Sequence, residues 1–115
     1  MKKVLIVEDD PDWQSMWKRK LEGKVHVLMA SSVEKGEQLF NENPDVDVIV
    51  MDACVSGEEP DTLPLVTNIR QTFSGPMIAA SGSYTFRQCL KSYGCDHESR
   101  KKDVPEKVLE ILGVD

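Results

Sequence analysis

Strand and helix signals alternate along the whole chain, and this alternation is the strongest constraint on its fold. The segment 4–7 is a continuous apolar run, which is typical of a strand covered on both faces. Further strands are predicted at 25–30, 46–51 and 76–81. The segment 95–100 has poor strand propensity, and we predict a fifth strand there because the alternation requires one.

Between the strands, apolar residues recur at helical spacing and indicate five helices. The residues expected on their inner faces are Trp13, Met16, Trp17 and Leu21; Val33, Leu39 and Phe40; Leu65, Val66, Ile69 and Phe73; Phe86, Cys89, Leu90 and Tyr93; and Val104, Val108, Ile111 and Leu112. Ser31 with Glu34, and Asp103 with Glu106, have the spacing of capping boxes. They predict the first residues of the second and the last helix.

Five strand–helix units favour parallel strand pairing with right-handed crossovers. The predicted fold class is therefore α/β, a doubly wound five-stranded parallel sheet with helices on both faces. With 115 residues, the chain is predicted to form one domain over residues 1–115. No linker or DNA-binding helix pair follows Gly113. The sequence therefore predicts either a stand-alone domain or one cut from a longer protein.

Charge and cysteine content narrow the partners and the compartment. The net charge is −6, which argues against a nucleic acid or an anionic membrane as a partner. No apolar run has membrane-spanning length, and no signal-peptide core follows Lys2 and Lys3. Cys54, Cys89 and Cys95 lack metal-site spacing and are typical of reduced thiols. We therefore expect a cytoplasmic location.

Polar residues stand at the end of each apolar strand. Glu8 and Asp9 end the first strand, Asp52 the third and Ser81 the fourth, and basic residues at 100–102 end the fifth. In doubly wound sheets, ligands bind at the carboxyl ends of the strands, near the point where the strand order reverses. We therefore expect these side chains to converge on one edge of the sheet.

Three consecutive acids, Glu8 to Asp10, end the first strand. Crowded carboxylates raise one another's pKa unless a cation lies among them, although acids ahead of Pro11 also favour a helix N-terminus. Mg²⁺ prefers oxygen ligands, typically one or two carboxylates together with a phosphate. Asp9 and Asp52 are the predicted carboxylate ligands, with Glu8 acting mainly through a water. A lysine and a serine hydroxyl opposite them suit phosphoryl transfer.

The motifs VLIVEDD, VIVMD and MIAAS, followed by a late lysine, resemble those of the response regulator receiver domain from Lys2 to about Gly113. The resemblance implies a flavodoxin-like sheet with strand order 2-1-3-4-5. It also implies a role for each site residue. Asp52 is the phosphoacceptor, Lys101 and Ser81 contact the phosphoryl group, and Glu8, Asp9, Asp52 and the backbone carbonyl of Cys54 hold Mg²⁺.

The resemblance further implies a function in two-component signalling. A sensor histidine kinase or a histidine phosphotransfer protein would donate the phosphoryl group to Asp52 in a Mg²⁺-dependent reaction. The phosphorylated domain would then act as a switch on a downstream protein. We expect a signalling domain with intrinsic self-phosphorylation and autodephosphorylation, rather than an enzyme acting on a separate substrate.

Three departures from the family pattern bear on this switch. The segment 53–57 lacks the usual Met-Pro pair, and Lys102 follows Lys101 where a proline is usual. Glu98 stands where the family has an aromatic residue that rotates inward. Burying an unpartnered carboxylate is costly. We therefore expect Glu98 to stay solvated and the change on activation to be confined to the loops after Asp52 and Ser81.

Two alternative functions remain open at the level of sequence. One is a receiver-like interaction module that works without phosphorylation, but such a module needs no metal site. The other is a different Mg²⁺-dependent phosphotransferase on a similar sheet, such as a haloacid-dehalogenase-like phosphatase or a Toprim-type domain. Both of these alternatives require a second acid two residues after Asp52 as a metal ligand, and this chain has Cys54 at that position.

Overall fold

The computed structural model describes residues 1–115, and its strands and helices alternate as predicted. The strands are β1 (Lys3–Val7), β2 (His26–Ala30), β3 (Val48–Asp52), β4 (Met77–Ala80) and β5 (His97–Ser99). The helices are α1 (Pro11–Leu21), α2 (Val33–Glu42), α3 (Leu63–Arg70), α4 (Tyr84–Tyr93) and α5 (Val104–Leu112), and a 3₁₀ turn at Lys101–Asp103 precedes α5. None of the helices has both the length and the apolar character needed to cross a membrane.

The five strands form one parallel sheet in the order β2-β1-β3-β4-β5, which confirms the predicted fold class and strand order. β1 lies between β2 and β3, so that Val7 is opposite both Ala30 and Met51. The strand order therefore reverses between β1 and β3. The fifth strand, predicted from the alternation alone, is present and pairs with β4 as a three-residue edge strand.

The core consists of two apolar layers, one on each face of the sheet. Alternate residues of β1 and β3 enter opposite layers and are fully buried in both, which explains their continuous apolar sequences. One layer contains Leu5, Val7, Ile49 and Met51 with side chains from α2, α3 and α4. The other contains Val4, Ile6, Val48 and Val50 with side chains from α1 and α5.

The predicted capping boxes are wrong in detail. The N-terminal cap of α2 is Ser32, whose Oγ accepts a hydrogen bond from the Lys35 backbone at 3.1 Å. The Ser31 hydroxyl accepts instead from the Gln14 side chain. At the start of α5, Asp103 makes no capping hydrogen bond. A 3₁₀ turn at this position replaces the extended backbone that a capping box requires.

Two predicted inner-face residues also differ from expectation. Tyr93, at the end of α4, is 49% exposed, because the helix turns only Leu90 fully into the core. Phe73 is buried as predicted, but it lies three residues beyond the end of α3. Its ring packs edge-on against Phe40 at a centroid distance of 6.0 Å, so a connecting segment rather than a helix delivers it to the core.

Arg70, the last residue of α3, fastens two connections at the end of the sheet where β4 begins. Its guanidinium donates hydrogen bonds to the backbone carbonyls of Phe73, Gly75 and Gly94 at 3.0, 2.6 and 2.7 Å. It also lies 3.2 Å from the carboxylate of Asp96. One side chain thus joins the α3–β4 connection to the α4–β5 connection.

Candidate functional site

The carboxyl ends of β1 and β3 bring three acids together. Glu8 directly follows β1, Asp52 is the last residue of β3, and one carboxylate oxygen each from Glu8, Asp9 and Asp52 lies within 4.8 Å of the others. Glu8 is fully buried and Asp52 is 5% exposed, whereas Asp9 is exposed. Three carboxylate oxygens at this spacing, one of them open to solvent, are compatible with a metal site.

The third consecutive acid has a different position. The carboxylate of Asp10 accepts a hydrogen bond from the Asp12 backbone at 2.8 Å and caps the N-terminus of α1. Its own backbone N–H donates to Oε2 of Glu8 at 3.0 Å. The acidic triplet is therefore divided. Two acids face the site, and the third begins the helix that follows.

Lys101 lies opposite the acids, in the 3₁₀ turn after β5. Its Nζ is 2.8 Å from Oε1 of Glu8 and 3.4 Å from Oδ2 of Asp52. Burial lowers the pKa of Lys101, but the hydrogen bond to Glu8 and the charges of Asp52 and Glu8 outweigh it, so that the pKa is raised. Lys101 therefore carries a fixed positive charge at neutral pH. Lys102 is exposed.

Asp52 is the acid most affected by its surroundings. Burial and then the negative charge of Glu8 raise the pKa of Asp52 to about 7, and the Lys101 ammonium offsets only part of this rise. One ammonium is thus too little positive charge for two buried carboxylates. A further cation next to Asp52 would favour the carboxylate form, which is the form that can act as a nucleophile or a ligand.

Ser81 directly follows β4 and connects the site to α4. Its Oγ accepts a hydrogen bond from the Ser83 backbone at 3.0 Å, and the Ser83 hydroxyl in turn caps α4. The backbone carbonyl of Ser81 accepts from Nη1 of Arg87 at 2.8 Å. These hydrogen bonds connect Ser81 directly to the first turn of α4.

These residues surround one open cavity that is lined mostly by polar residues. Its lining includes Asp9, Asp52, Cys54, Ser81 and Lys101. A polar, solvent-open cavity suits a small hydrated or anionic group better than an apolar ligand. The structure thus places every residue that the sequence indicated, including Glu8 behind Asp52, at the same end of the sheet. Their individual roles remain predictions.

Two residues of the β3–α3 loop hold the backbone next to this cavity and were not singled out from the sequence. The fully buried Thr62 donates from Oγ1 to the backbone carbonyl of Asp52 at 2.7 Å. Asp61 accepts from the Val55 backbone at 2.9 Å and from the hydroxyl of Ser56. An Asp-Thr pair just ahead of Pro64 is a helix-start signal, and it could have directed attention to these residues.

Glu98 differs from the solvated carboxylate that the sequence predicted. Its side chain is 31% exposed and accepts hydrogen bonds from Arg87, Gln88 and Lys91 of α4 at 2.9, 3.1 and 3.0 Å. The hydrogen bond from Arg87, followed by those from Lys91 and Gln88, lowers the pKa of Glu98 to about 2. Glu98 is thus a paired anion that attaches β5 to α4.

Many solved structures that match nearly the whole chain are response regulator receiver domains. A two-component response regulator from Clostridium difficile is 22% identical with a TM-score of 0.82, over 98% of this chain and 97% of that one. A Francisella response regulator receiver domain is also 22% identical, with a TM-score of 0.79 over 98% of each chain. No protein-family model and no curated protein matches the chain.

A third structure is described with bound groups. It is a response regulator protein from Burkholderia pseudomallei with a phosphorylated aspartic acid, a calcium ion and citrate. It is 18% identical, with a TM-score of 0.79 over 97% of this chain and 66% of that one. At these identities the likeness is one of fold. The chain has the receiver-domain fold, and at that level the resemblance expected from the sequence is confirmed.

Proposed function

We propose that the chain is a phosphoacceptor domain of two-component signalling, which receives a phosphoryl group on Asp52. The observation that carries this proposal is the position of Asp52 at the reversal of strand order, beside one partly buried ammonium and two further acids. Ligands bind at this position in doubly wound sheets. The residue types there are those that phosphoryl transfer uses for attack and for charge neutralisation.

The donor would be a phosphohistidine of a sensor histidine kinase or a histidine phosphotransfer protein. A carboxylate oxygen of Asp52 attacks phosphorus and forms a P–O bond, while the P–N bond of the donor breaks. The departing imidazole nitrogen takes up a proton from solvent. Hydrolysis of the resulting acyl phosphate by water returns Asp52 and inorganic phosphate, so that the domain resets itself.

The acids fit a divalent cation, and we propose Mg²⁺. Glu8, Asp9, Asp52 and the backbone carbonyl of Cys54 would hold it, with Glu8 acting mainly through a water because its carboxylate is already paired with Lys101. The chemistry that Mg²⁺ supplies in such a site is neutralisation of charge on carboxylate and phosphoryl oxygens. The pKa of about 7 at Asp52 supports this assignment, since the acids lack sufficient positive charge without it.

Lys101 and Ser81 would recognise the transferred group. The ammonium of Lys101 lies 3.4 Å from Asp52 and can contact a phosphoryl oxygen attached there as a point charge. The hydroxyl of Ser81 lines the same cavity and can donate a hydrogen bond to a second oxygen. Both contacts orient the group without taking part in bond making.

The remaining assignments follow from the same function. Residues 1–115 would form a single receiver domain that works in the cytoplasm, where its kinase and its downstream protein target meet it. The Burkholderia pseudomallei neighbour supports the chemistry, because its phosphorylated aspartic acid and calcium ion occur in a protein of the same fold. No nucleic acid or membrane partner is needed.

The test is incubation with a small-molecule phosphodonor and Mg²⁺, followed by intact-mass measurement. The wild-type protein should gain the mass of one phosphoryl group, and Asp52→Asn should gain none. Asp45→Asn is the matched control, because Asp45 is an exposed aspartate paired with Lys3 at 2.9 Å, at the end of the sheet opposite to the site. Phosphate uptake that persists in Asp52→Asn, or that is absent from the wild type, would contradict the proposal.

A further inference from the structure

Two side chains of α1 hold the backbone at both members of the ion pair between buried Glu8 and partly buried Lys101. Nε2 of Gln14 donates to the carbonyl of Glu8 and also to Oγ of Ser31 at 2.9 Å. One turn later on the same helix, Nε1 of Trp17 donates to the carbonyl of Lys101 at 2.8 Å. The second bond connects residues that are 84 positions apart in the chain.

The Trp17 bond lies at the root of the segment that carries Lys101. Trp17 is fully buried in the apolar layer that α1 and α5 form against the sheet, so its indole N–H has no access to water and needs a partner inside the protein. That partner is the first carbonyl of the 3₁₀ turn, which also accepts from the Val104 backbone. Two donors on one carbonyl fix where the backbone of Lys101 lies relative to α1.

The position of this backbone decides what the ammonium can reach. Nζ is close to Glu8 and 0.6 Å farther from Asp52, at 2.8 and 3.4 Å. Gln14 fixes the Glu8 end of the pair and Trp17 fixes the Lys101 end. A shift of the turn by about 1 Å would remove the ammonium from one of the two carboxylates, and errors of this size are known to cost rate in positioned reactions.

We propose that Trp17 is a positioning residue for phosphoryl transfer, acting through Lys101. Its indole N–H holds the 3₁₀ turn so that the ammonium faces Asp52 and a phosphoryl group attached there. The inference rests on the proposed function, and it adds a residue whose side-chain hydrogen bond goes to the Lys101 backbone and not to Asp52 or the other acids of the proposed metal site. Because those acids are untouched, Trp17 should affect the rate of phosphorylation and leave the affinity for Mg²⁺ unchanged.

The test compares Trp17→Phe with Trp13→Phe. Trp17→Phe keeps an aromatic ring and deletes the N–H donor. Trp13 lies one turn earlier, its ring centroid is 5.8 Å from that of Trp17, and the Lys101 carbonyl accepts from the indole of Trp17 rather than from that of Trp13. We expect phosphorylation by a small-molecule phosphodonor at saturating Mg²⁺ to slow by roughly 10- to 100-fold in Trp17→Phe, and to be unchanged in Trp13→Phe.

A double-mutant cycle separates positioning from general damage. In a Lys101→Met background the ammonium is gone, so Trp17→Phe should slow phosphorylation no further. Equal slowing in both backgrounds, equal slowing in Trp13→Phe, or a parallel loss of Mg²⁺ affinity would overturn the inference. If the wild type gains no phosphate, the proposed function and the inference fail together. If the wild type and Trp17→Phe gain it at the same rate, only the inference fails.

A measurement on the wild type covers the case in which Trp17→Phe does not fold. Beryllofluoride with Mg²⁺ mimics a phosphoryl group on a carboxylate and should draw the Lys101 ammonium from Glu8 toward Asp52. This movement would change the hydrogen bond between the Lys101 carbonyl and the Trp17 indole N–H. The ¹H–¹⁵N resonance of this indole should therefore shift more than that of Trp13. An unchanged Trp17 indole resonance would overturn the inference.

Discussion

Arg87 donates a hydrogen bond from Nε to the carboxylate of Glu98 at 2.9 Å, while its Nη1 donates to the carbonyl of Ser81 at 2.8 Å. One guanidinium on α4 thus connects the residue that follows β4 to a residue of β5. The sequence suggested that activation would stay within the loops after Asp52 and Ser81. The Arg87 side chain provides a physical path from Ser81 to Glu98, so we now expect the change to reach β5.

Removal of Arg87 should confine the response to the loops. In the wild type, beryllofluoride with Mg²⁺ should shift the amide NMR signals of residues 53–57 and also that of Glu98. In Arg87→Met the first set should persist and the Glu98 shift should shrink to a minor fraction. Arg100→Met is the control, since Arg100 is exposed and lies 3.7 Å from Asp103 instead. An undiminished Glu98 shift in Arg87→Met would rule out the path.

The Glu98 ion pairs should make stability depend on pH in the acid range. The pKa of Glu98 is lowered from 4.5 to about 2, chiefly by the hydrogen bond from Arg87. Its contribution is therefore present above about pH 4.5 and is lost as the pH falls toward 2. Glu98→Gln should show a shallower loss of unfolding free energy over this interval than the wild type, as measured by urea denaturation.

A second glutamate provides the comparison for this titration. Glu110 of α5 borders the same groove as Glu98, together with Glu106 and Lys107, but it is largely exposed and lies 4.0 Å from Lys107. Glu110→Gln should leave the acid limb of the stability curve close to that of the wild type. If the wild type, Glu98→Gln and Glu110→Gln lost the same unfolding free energy between pH 4.5 and 2, the ion pairs between α4 and Glu98 would not stabilise the protein.

Adjacent acids at the end of β1 should respond differently to substitution. Asp9→Ala should lower the affinity for Mg²⁺ by at least about 10-fold, because losing a ligand costs no less than losing its supporting contacts. Its stability without metal should be equal or higher, since one repelling carboxylate is gone. Asp10→Ala should keep the affinity and lose about 1 kcal/mol of stability with the α1 cap. Isothermal titration measures the Mg²⁺ affinity and thermal unfolding measures the stability. A loss of Mg²⁺ affinity in Asp10→Ala but not in Asp9→Ala would contradict these roles.

Substitution of Lys101 and of Lys102, the two lysines after β5, should also have different effects. Lys101→Ala leaves the fully buried Glu8 without its cation, which should destabilise the protein by about 3 kcal/mol and abolish the response to phosphorylation. Lys102→Ala should change stability by less than about 0.5 kcal/mol, because Lys102 is exposed. Combining Lys101→Met with Glu8→Gln should restore part of the stability but not the response. Equal effects at the two lysines would contradict the assignment.

The parts of the fold that follow from alternation and strand ends were predictable. The carboxyl ends of parallel strands meet at one edge, so Asp52, Glu8 and Lys101 could be placed together before any contact was known. The β5 strand is an example of the same logic, because its sequence is poor for a strand and only the topology demands it. The adjacent serines 31 and 32 were harder, since either can cap a helix and the exact end of β2 decides between them.

The contacts that the sequence did not predict are those set by the rotation of a helix. Glu98 was expected in solvent because burying a carboxylate without a partner is costly. Its partners lie on α4, and nothing local to β5 indicates which face α4 presents to it. Trp17 was assigned to the core, correctly, but its N–H partner is 84 residues away. Such pairings depend on how helices pack across the sheet, and spacing along a single chain does not encode them.

The two ends of α4 are held by different partners. Arg70 donates a hydrogen bond to the carbonyl of Gly94, just beyond the last turn. The first turn is connected to the site through Ser83 and Ser81. We therefore expect a displacement of Ser81 to move the exposed ring of Tyr84, in the first turn of α4, more than that of Tyr93 in the last turn.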